Sequence, residues 1–440
     1  MSPLTAARVQ MELSLGFHMI FASVGMALPL MLLIVERRWM RTGDRDALAL
    51  AKTWANATAV LFAIGAVSGT ALSFELGLLW PRFMEVAGPL IGPAFALEGY
   101  AFFIEAIFLG LYLYGWDRLT PAAHWWCGVA VAASGVASGV LVLSANAWMQ
   151  DPVGFQPGGP GTPPSIDPLA ALFNPAWPVM AIHSTFATYQ AVGFAVAGLY
   201  AWALVRGSGH RGVRYYALGL RTAMILATVA AVLQPLSGDA LAKRAYHRQP
   251  AKLAAMEGHF TTGRCAPLRI GGLPDPDARV TRYSIDIPCG LSFLSTGDPD
   301  AEILGLERFP RDQWPNVVVT HLAFQIMVGA GLLMLGVAGW YVIERVRARR
   351  APDAPLSRAL LTALALCAPL GFIALEAGWV VTEAGRQPWV IYGILRTADA
   401  VTPVSDVTGS LAIFTVLYLT LAIIVVVFLR RLARGEGVQT

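Results

Sequence analysis

The chain has 440 residues, 56% of them hydrophobic and only 14% charged, with a net charge of +4 and a mean hydropathy of +0.57. A soluble domain carries about 25% charged residues, so the composition excludes a soluble enzyme and predicts an all-α polytopic membrane protein. The arginines cluster in short connections, which is a topology signal and not a nucleic-acid footprint, and no nucleic-acid partner is expected.

In chain order, nine apolar runs near the ~20 residues that a bilayer core requires are predicted at 12–35, 55–79, 94–116, 124–147, 179–205, 217–237, 316–343, 359–382 and 409–430. The first, "LSLGFHMIFASVGMALPLMLLIV", is too long for a signal peptide, carries His18 and lacks a small-residue cleavage site, so it reads as a retained span. "ERRWMRTGDRDALALAK", "RGSGHRGVRYYALGLR", "ERVRARRAPDAPLSR" and "RRLARGEG" are rich in arginine, whereas 148–178 contains no Lys or Arg. The positive-inside rule then places the N-terminus outside and the C-terminus in the cytoplasm. Three parts follow: six spans over 1–237, a long external loop between the sixth and seventh spans over 238–315, and three spans with a cytoplasmic tail over 316–440.

Cys127 and Cys367 lie in spans and read as small buried apolar residues. Cys265 and Cys289 lie in the external loop, where an oxidising compartment would permit a disulfide without requiring one. No C-x-x-C-H motif for covalent haem attachment occurs. No inverted repeat of the transporter kind is visible either.

Ionisable residues inside spans are costly and mark functional sites. His18 lies on the first span, Glu75 on the second, Glu98 and Glu105 on the third, His183 on the fifth and Glu376 on the eighth. Met327 lies in the outer half of the seventh, beside Gln325. With the predicted topology, His18, Glu98, His183, Met327 and Glu376 share one depth in the outer leaflet although they come from five helices. Singly, each has a plainer reading: a histidine or carboxylate bonded between helices, a methionine packed in the core, Glu75 capping or pairing near the interface. Together they offer mixed axial ligands for haem, with His plus Met suiting a low-spin iron. Seven histidines, four of them (His124, His210, His247 and His259) at helix ends or in loops, are too few for a haem-copper oxidase or a bis-histidine cytochrome b. In the loop, "QPAKLAAMEGHF" offers Lys252, Glu257 and His259.

Taken in order, "RVQMELSLGFHMIF", "SGTALSFELGLLWPRF", "GPAFALEGYAFFIEAIFLGLYLYGWDRL", "SANAWMQDPVGF", "FNPAWPVMAIHSTFATYQAVGF", "LSGDALAKRAYHRQPAKLAAMEGHF", "FQIMVGAG" and "IALEAGWVVTEAGRQPW" resemble subunit I of the cytochrome bd quinol oxidases over essentially the full length. The resemblance implies a respiratory oxidase of the inner membrane that oxidises ubiquinol or menaquinol and reduces O2 to water. His183 and Met327 resemble the axial ligands of a low-spin haem b. His18, Glu98 and Glu376 resemble the ligands of a high-spin haem b and of a third haem, d or b. Which of the three serves which haem differs between members and stays open. Lys252 and Glu257 match the quinol-binding loop, where glutamate accepts the hydroxyl proton and lysine hydrogen-bonds a quinone oxygen. Arg386 and Trp389 would hold haem propionates, and Glu105, with Ser138 and Asn146, would relay cytoplasmic protons. The implied partners are a second membrane subunit, a small single-helix subunit and membrane lipid.

Three departures stand out. Gln325 replaces an arginine found in some members, Phe372 replaces a tryptophan, and Glu105 follows Glu98 by one residue fewer than the family spacing. The loop is of the short kind, resembling the cyanide-insensitive branch. Two other classes stay in view: a quinol-linked cytochrome b serving another acceptor, and a proton-coupled transporter.

Overall fold

Capping side chains and prolines set the helix boundaries of the computed structural model, which describes residues 1–158, 164–207, 211–350, 354–404 and 407–433. Ser2 accepts the Thr5 amide at 3.2 Å to open α1 (Pro3–Thr42), with Pro3 in the first turn, where a missing N–H costs nothing. Asp44 caps α2 (Arg45–Leu79) and Thr120 caps α4 (Pro121–Gln150). Between them runs α3 (Pro81–Tyr114). The chain continues through β1 (Phe155–Gln156), β2 (Ser165–Ile166), α5 (Pro168–Leu172), α6 (Trp177–Arg206), α7 (Val213–Arg248) and α8 (Pro250–Met256). The loop that follows contains β3 (Gly263–Arg264), β4 (Leu268–Asp275), β5 (Val280–Ile287), α9 (Gly290–Thr296) and β6 (Glu302–Ile303). The last part holds α10 (Val317–Arg347), α11 (Arg358–Cys367), α12 (Leu370–Ala384), β7 (Trp389–Ile391), β8 (Leu395–Arg396), α13 (Thr397–Ala400) and α14 (Val407–Ala433). Among the described residues, nine helical segments are long and apolar enough to cross a membrane. His210 lies outside the described residues.

Three of the differences from the sequence expectation trace to proline. Helix α7 runs to Arg248 instead of ending at 237, so irregular chain begins at 249 rather than 238. "DALAKRAYHR" is made mainly of good helix formers, and the helix stops only where Gln249, preceding Pro250, leaves the helical region at φ −139°, ψ 61°. Trp80, before Pro81, is the only residue between α2 and α3, so the third helix starts well before 94. The eighth span is interrupted between α11 and α12, at Ala368 and Pro369.

At that break the helices approach very closely. A Cβ added at Gly371 would stand 2.4 Å from Ala191 Cα, and one at Gly198 would stand 2.8 Å from the Leu364 carbonyl oxygen. Since backbone cannot yield as a side-chain tip can, Gly371→Ala is expected to lower stability by about 1–3 kcal/mol, the usual range for overpacking. A thermal melt of the detergent-solubilised protein checks this.

A large core cluster joins α1, α2, α6, α7, α10 and α11 towards the arginine-rich ends. There Asp44 accepts from Arg38 Nε and Arg214 Nη2, both at 3.1 Å. A second cluster at the opposite end packs Trp80, Phe83 and Leu90 against Trp148, Ile391 and Ala400. On that end the loop folds as a layer: β4 and β5 form a hairpin, β3 pairs β6, and Cys265 and Cys289 are joined by a disulfide. Cys127 and Cys367 are buried free thiols, as expected.

Candidate functional site

The two intramembrane histidines are held in the same way. His18 Nδ1 on α1 lies 3.0 Å from Ser68 Oγ on α2, and a Cβ at Gly69 would meet the ring at 2.9 Å. His183 Nδ1 on α6 lies 3.0 Å from Ser237 Oγ on α7, and a Cβ at Gly238 would stand 3.4 Å from that ring. A Ser-Gly pair on the neighbouring helix thus orients each ring through Nδ1 and makes room for it. Oriented through Nδ1, a ring presents Nε2 as a ligand. Gln234 Nε2, 3.2 Å from His183 Nε2, would have to turn aside for ligation.

Helix α12 connects the other candidates. A Cβ at Gly16 on α1 would be 3.2 Å from Glu376 Oε2, and one at Gly378, two residues further on, would be 2.9 Å from Met327 Sδ on α10. The other oxygen of Glu376 is buried without a hydrogen-bond partner among the described residues, as are Trp379 Nε1 and Arg386 Nη1. On α3, Glu98 accepts from Ser138 Oγ at 2.9 Å. Glu105, fully enclosed, faces Gly25 and Gly135. Ser138 therefore serves Glu98 directly. Asn146 is bonded elsewhere, donating to Glu383 Oε1 at 2.7 Å. Glu75 is buried between α1 and α2 and accepts from Gln10 at 3.2 Å, so it pairs inside the bundle and caps nothing. Among the described residues no three His, Cys, Asp or Glu side chains converge as they would around a bare metal ion.

Arg386 is buried, paired with Glu383, and its Nε donates to the Trp389 carbonyl at 3.3 Å. Arg396 lies over the Trp389 ring, 5.3 Å from its centroid. Glu383, inside "WVVTEAGRQPW", is the residue the sequence reading passed over. It ties Asn146 on α4 to Arg386, and only its place in that stretch hinted at a role.

Lys252 and Glu257 sit on and just past α8, which lies on the bundle instead of reaching into water. Lys252 Nζ donates to Gln150 Oε1 at 3.2 Å and to the Thr382 carbonyl at 3.3 Å. Burial of its ammonium, helped by the Arg386 charge and opposed by Glu383, pulls its pKa down to about 7. Glu257 is 4% exposed, and one carboxyl oxygen has no partner among the described residues. Burial pushes its pKa up to about 7 against the pull of Arg269. Burial likewise lowers His259 to about 4, so this ring is neutral at pH 7. His321, not singled out from sequence, clamps the region: Nδ1 lies 2.8 Å from the Met256 carbonyl and Nε2 3.0 Å from that of Gly271. Gln325 spans the hairpin, donating to the Arg269 carbonyl at 3.0 Å and accepting the Gly271 amide at 2.9 Å.

In the quinol site that the sequence resemblance implies for this loop, the base must be deprotonated and the cationic donor protonated, so kcat/KM for quinol is expected to rise with pH as Glu257 ionises and to fall as Lys252 discharges. With both groups near 7, the profile is a narrow bell centred there, and Lys252→Met removes its alkaline limb. A pH series of quinol-driven oxygen uptake reads this directly.

These features define a polytopic helical membrane protein with single, oriented His, Met and Glu side chains facing its interior and a titratable loop folded over one end. The sequence pattern described as "Cytochrome bd terminal oxidase subunit I" matches residues 6–437. The chain belongs to that family. It is 36% identical over 432 residues to a Bacillus subtilis (strain 168) protein named "Putative cytochrome bd menaquinol oxidase subunit I", covering 97% of this chain and 95% of that one. It is 30% identical to the "Cytochrome bd ubiquinol oxidase subunit 1" of the same organism, covering 99% and 94% of the two. The solved structure of bd oxidase from Geobacillus thermodenitrificans superposes with a TM-score of 0.90 at 35% identity, over 99% of both chains.

Proposed function

We propose that this chain is the haem-bearing subunit of a membrane quinol:oxygen oxidoreductase, oxidising quinol at its outer face and reducing O2 to water with cytoplasmic protons. The observation that carries the reading is the seat of the quinol loop. Lys252 bonds the backbone of α12 at Thr382, less than two turns from Glu376, on the helix that also packs against Met327. A substrate at Lys252 and Glu257 would sit beside the helices that bear the ligand candidates.

The residues present fit haem. Each candidate ligand stands alone, oriented by a hydroxyl or faced by glycine, and would be free to hold haem. The unpartnered buried nitrogen of Arg386 suits a propionate, with Trp389 beside it. His183 and Met327 would hold a low-spin haem b. His18, Glu98 and Glu376 would hold a high-spin haem b and a third haem, d or b. When bound, haem would supply single-electron transfer and the site of oxygen reduction. The protein's own part is acid-base and positional. Lys252 hydrogen-bonds one quinol oxygen, Glu257 accepts the hydroxyl proton and discharges it outward, and Glu105 passes cytoplasmic protons towards Glu98. The relatives' names include both menaquinol and ubiquinol, so the substrate is assigned as a quinol. A second membrane subunit completes the oxidase, together with a small single-helix one. We assign 1–237 and 316–440 to the membrane part and 238–315 to the quinol-binding part. The loop disulfide supports an external placement of the loop.

The assembly reconstituted in sealed liposomes tests this. Quinol-driven oxygen uptake should acidify the compartment facing the loop and consume protons on the arginine-rich side. Oxygen uptake without that asymmetry would overturn the topology, and no uptake with haem present would favour a cytochrome serving another acceptor.

A further inference from the structure

At the arginine-rich end, Glu36, Tyr112 and His124 form a buried cluster that the functions assigned above leave unused. They come from α1, α3 and α4 and are 0%, 2% and 2% exposed. His124 Nδ1 lies 2.7 Å from Glu36 Oε1, His124 Nε2 lies 2.8 Å from the Tyr112 carbonyl, and the Tyr112 hydroxyl donates to Glu36 Oε2 at 2.6 Å. Proton bookkeeping follows from these contacts. Nε2 faces an acceptor and must carry hydrogen, while Nδ1 and the carboxylate share one further proton between them. The cluster therefore holds a proton that either partner can release. Buried charge pairs are poor stabilisers compared with packed apolar side chains, so stability alone does not explain this one.

Its position supplies a route. Tyr112 lies seven residues, or two turns, from Glu105 on α3, about 10 Å along the axis. Beside Tyr112 is a small, mostly apolar cavity with about 10 Å³ available to a water centre, lined by Pro29, Leu32, Thr58, Leu109, Tyr112, Gly128 and Val131. That is room for about one water. Pro29 lies inside α1, and having no N–H it leaves the Gly25 carbonyl without its helical donor. A Cβ at Gly135 would stand 3.3 Å from that carbonyl oxygen and from both Glu105 carboxyl oxygens. The freed carbonyl and the Glu105 carboxyl thus converge over a glycine. On the water side, the partly exposed Trp116 covers His124 with ring centroids 4.1 Å apart, and Lys52 lies over the Trp116 ring at 5.5 Å.

We propose that Glu36, Tyr112 and His124 are a proton-loading site from which a proton passes, by way of the cavity beside Pro29, to Glu105. The proton leaves the Glu36–His124 pair, which is reloaded from water on the arginine-rich side, and no bond to a heavy atom forms or breaks. This rests on the reading of Glu105 as a relay, so the test treats the two residues separately. The variants are Glu36→Gln, Glu36→Asp and Glu105→Gln in the complete oxidase. The readouts are the reduced haem spectrum, quinol-driven oxygen uptake in H2O and D2O, and the redox infrared difference spectrum in the carboxyl region. Glu36→Gln keeps an acceptor for Tyr112 but holds no transferable proton. It is expected to slow turnover at least tenfold with an unchanged haem spectrum, to raise the solvent isotope effect and to remove a carboxyl band; Glu36→Asp restores part of the rate. Glu105→Gln slows turnover in the same way. A normal Glu36→Gln rate beside a slow Glu105→Gln would overturn the loading site and leave the relay standing. Normal rates in both overturn both. A Glu36→Gln protein that melts earlier but turns over normally per haem would make the cluster a helix clip.

Discussion

Replacing Glu257 with glutamine should reduce quinol-driven oxygen uptake by roughly 10²-fold or more, the usual contribution of a positioned base, while the dithionite-reduced spectrum stays as in the parent protein. The side chain is nearly isosteric and its site is enclosed, so the folded loop should survive. Proton acceptance would not, because the amide cannot take up a hydroxyl proton. The unpartnered oxygen of Glu257 and its pKa of about 7 point the same way. A carboxylate satisfied by Arg269 would be a structural counter-ion, whereas this one keeps a free lone pair near neutrality. Steady-state oxygen uptake with an excess of quinol reads the effect; a loss below threefold would remove Glu257 from the chemistry.

Met327→Leu should abolish the low-spin spectral component and leave the remaining haem absorbance in place. The swap conserves volume and costs less than about 1.5 kcal/mol when only packing is at stake. It leaves the close approach to Gly378 filled and removes only the sulfur. A core methionine would therefore show a small change in melting temperature and an unchanged reduced spectrum. Optical and low-temperature paramagnetic resonance spectra of the purified variant separate the two.

Much of the bundle was legible because a bilayer imposes one strong rule, about 20 apolar residues per span. What that rule hid was detail set by proline. Pro81 and Pro250 move helix boundaries by a dozen residues in opposite senses, and Pro369 divides the eighth span. The candidate ligands could be named from the sequence because an ionisable group in a span is rare. Their supports could not. Ser68 and Ser237 look like ordinary helix-packing serines until the fold places each against a ring nitrogen at 3.0 Å. His124, read from sequence as a helix-end histidine, is buried between Glu36 and Tyr112 because α1 and α3 both pack against its own helix α4. Glu36 itself stood at the edge of "ERRWMR", where a charge run reads as a solvated connection. The enclosure of the loop's titratable groups was hidden for a similar reason. The loop's polar sequence predicts water contact, yet Glu257 and His259 are enclosed by Arg269, the hairpin and His321, contacts that sequence separation conceals.

The central claim is that the oriented His, Met and Glu side chains hold haem in an enzyme that joins quinol oxidation to oxygen reduction. The most direct measurement is a reduced-minus-oxidised spectrum of the purified assembly with quinol-driven oxygen uptake recorded on the same sample. Haem b bands, with or without a chlorin band in the red, accompanied by oxygen uptake are the predicted result. A colourless protein, or haem that quinol reduces without any oxygen being consumed, would contradict it.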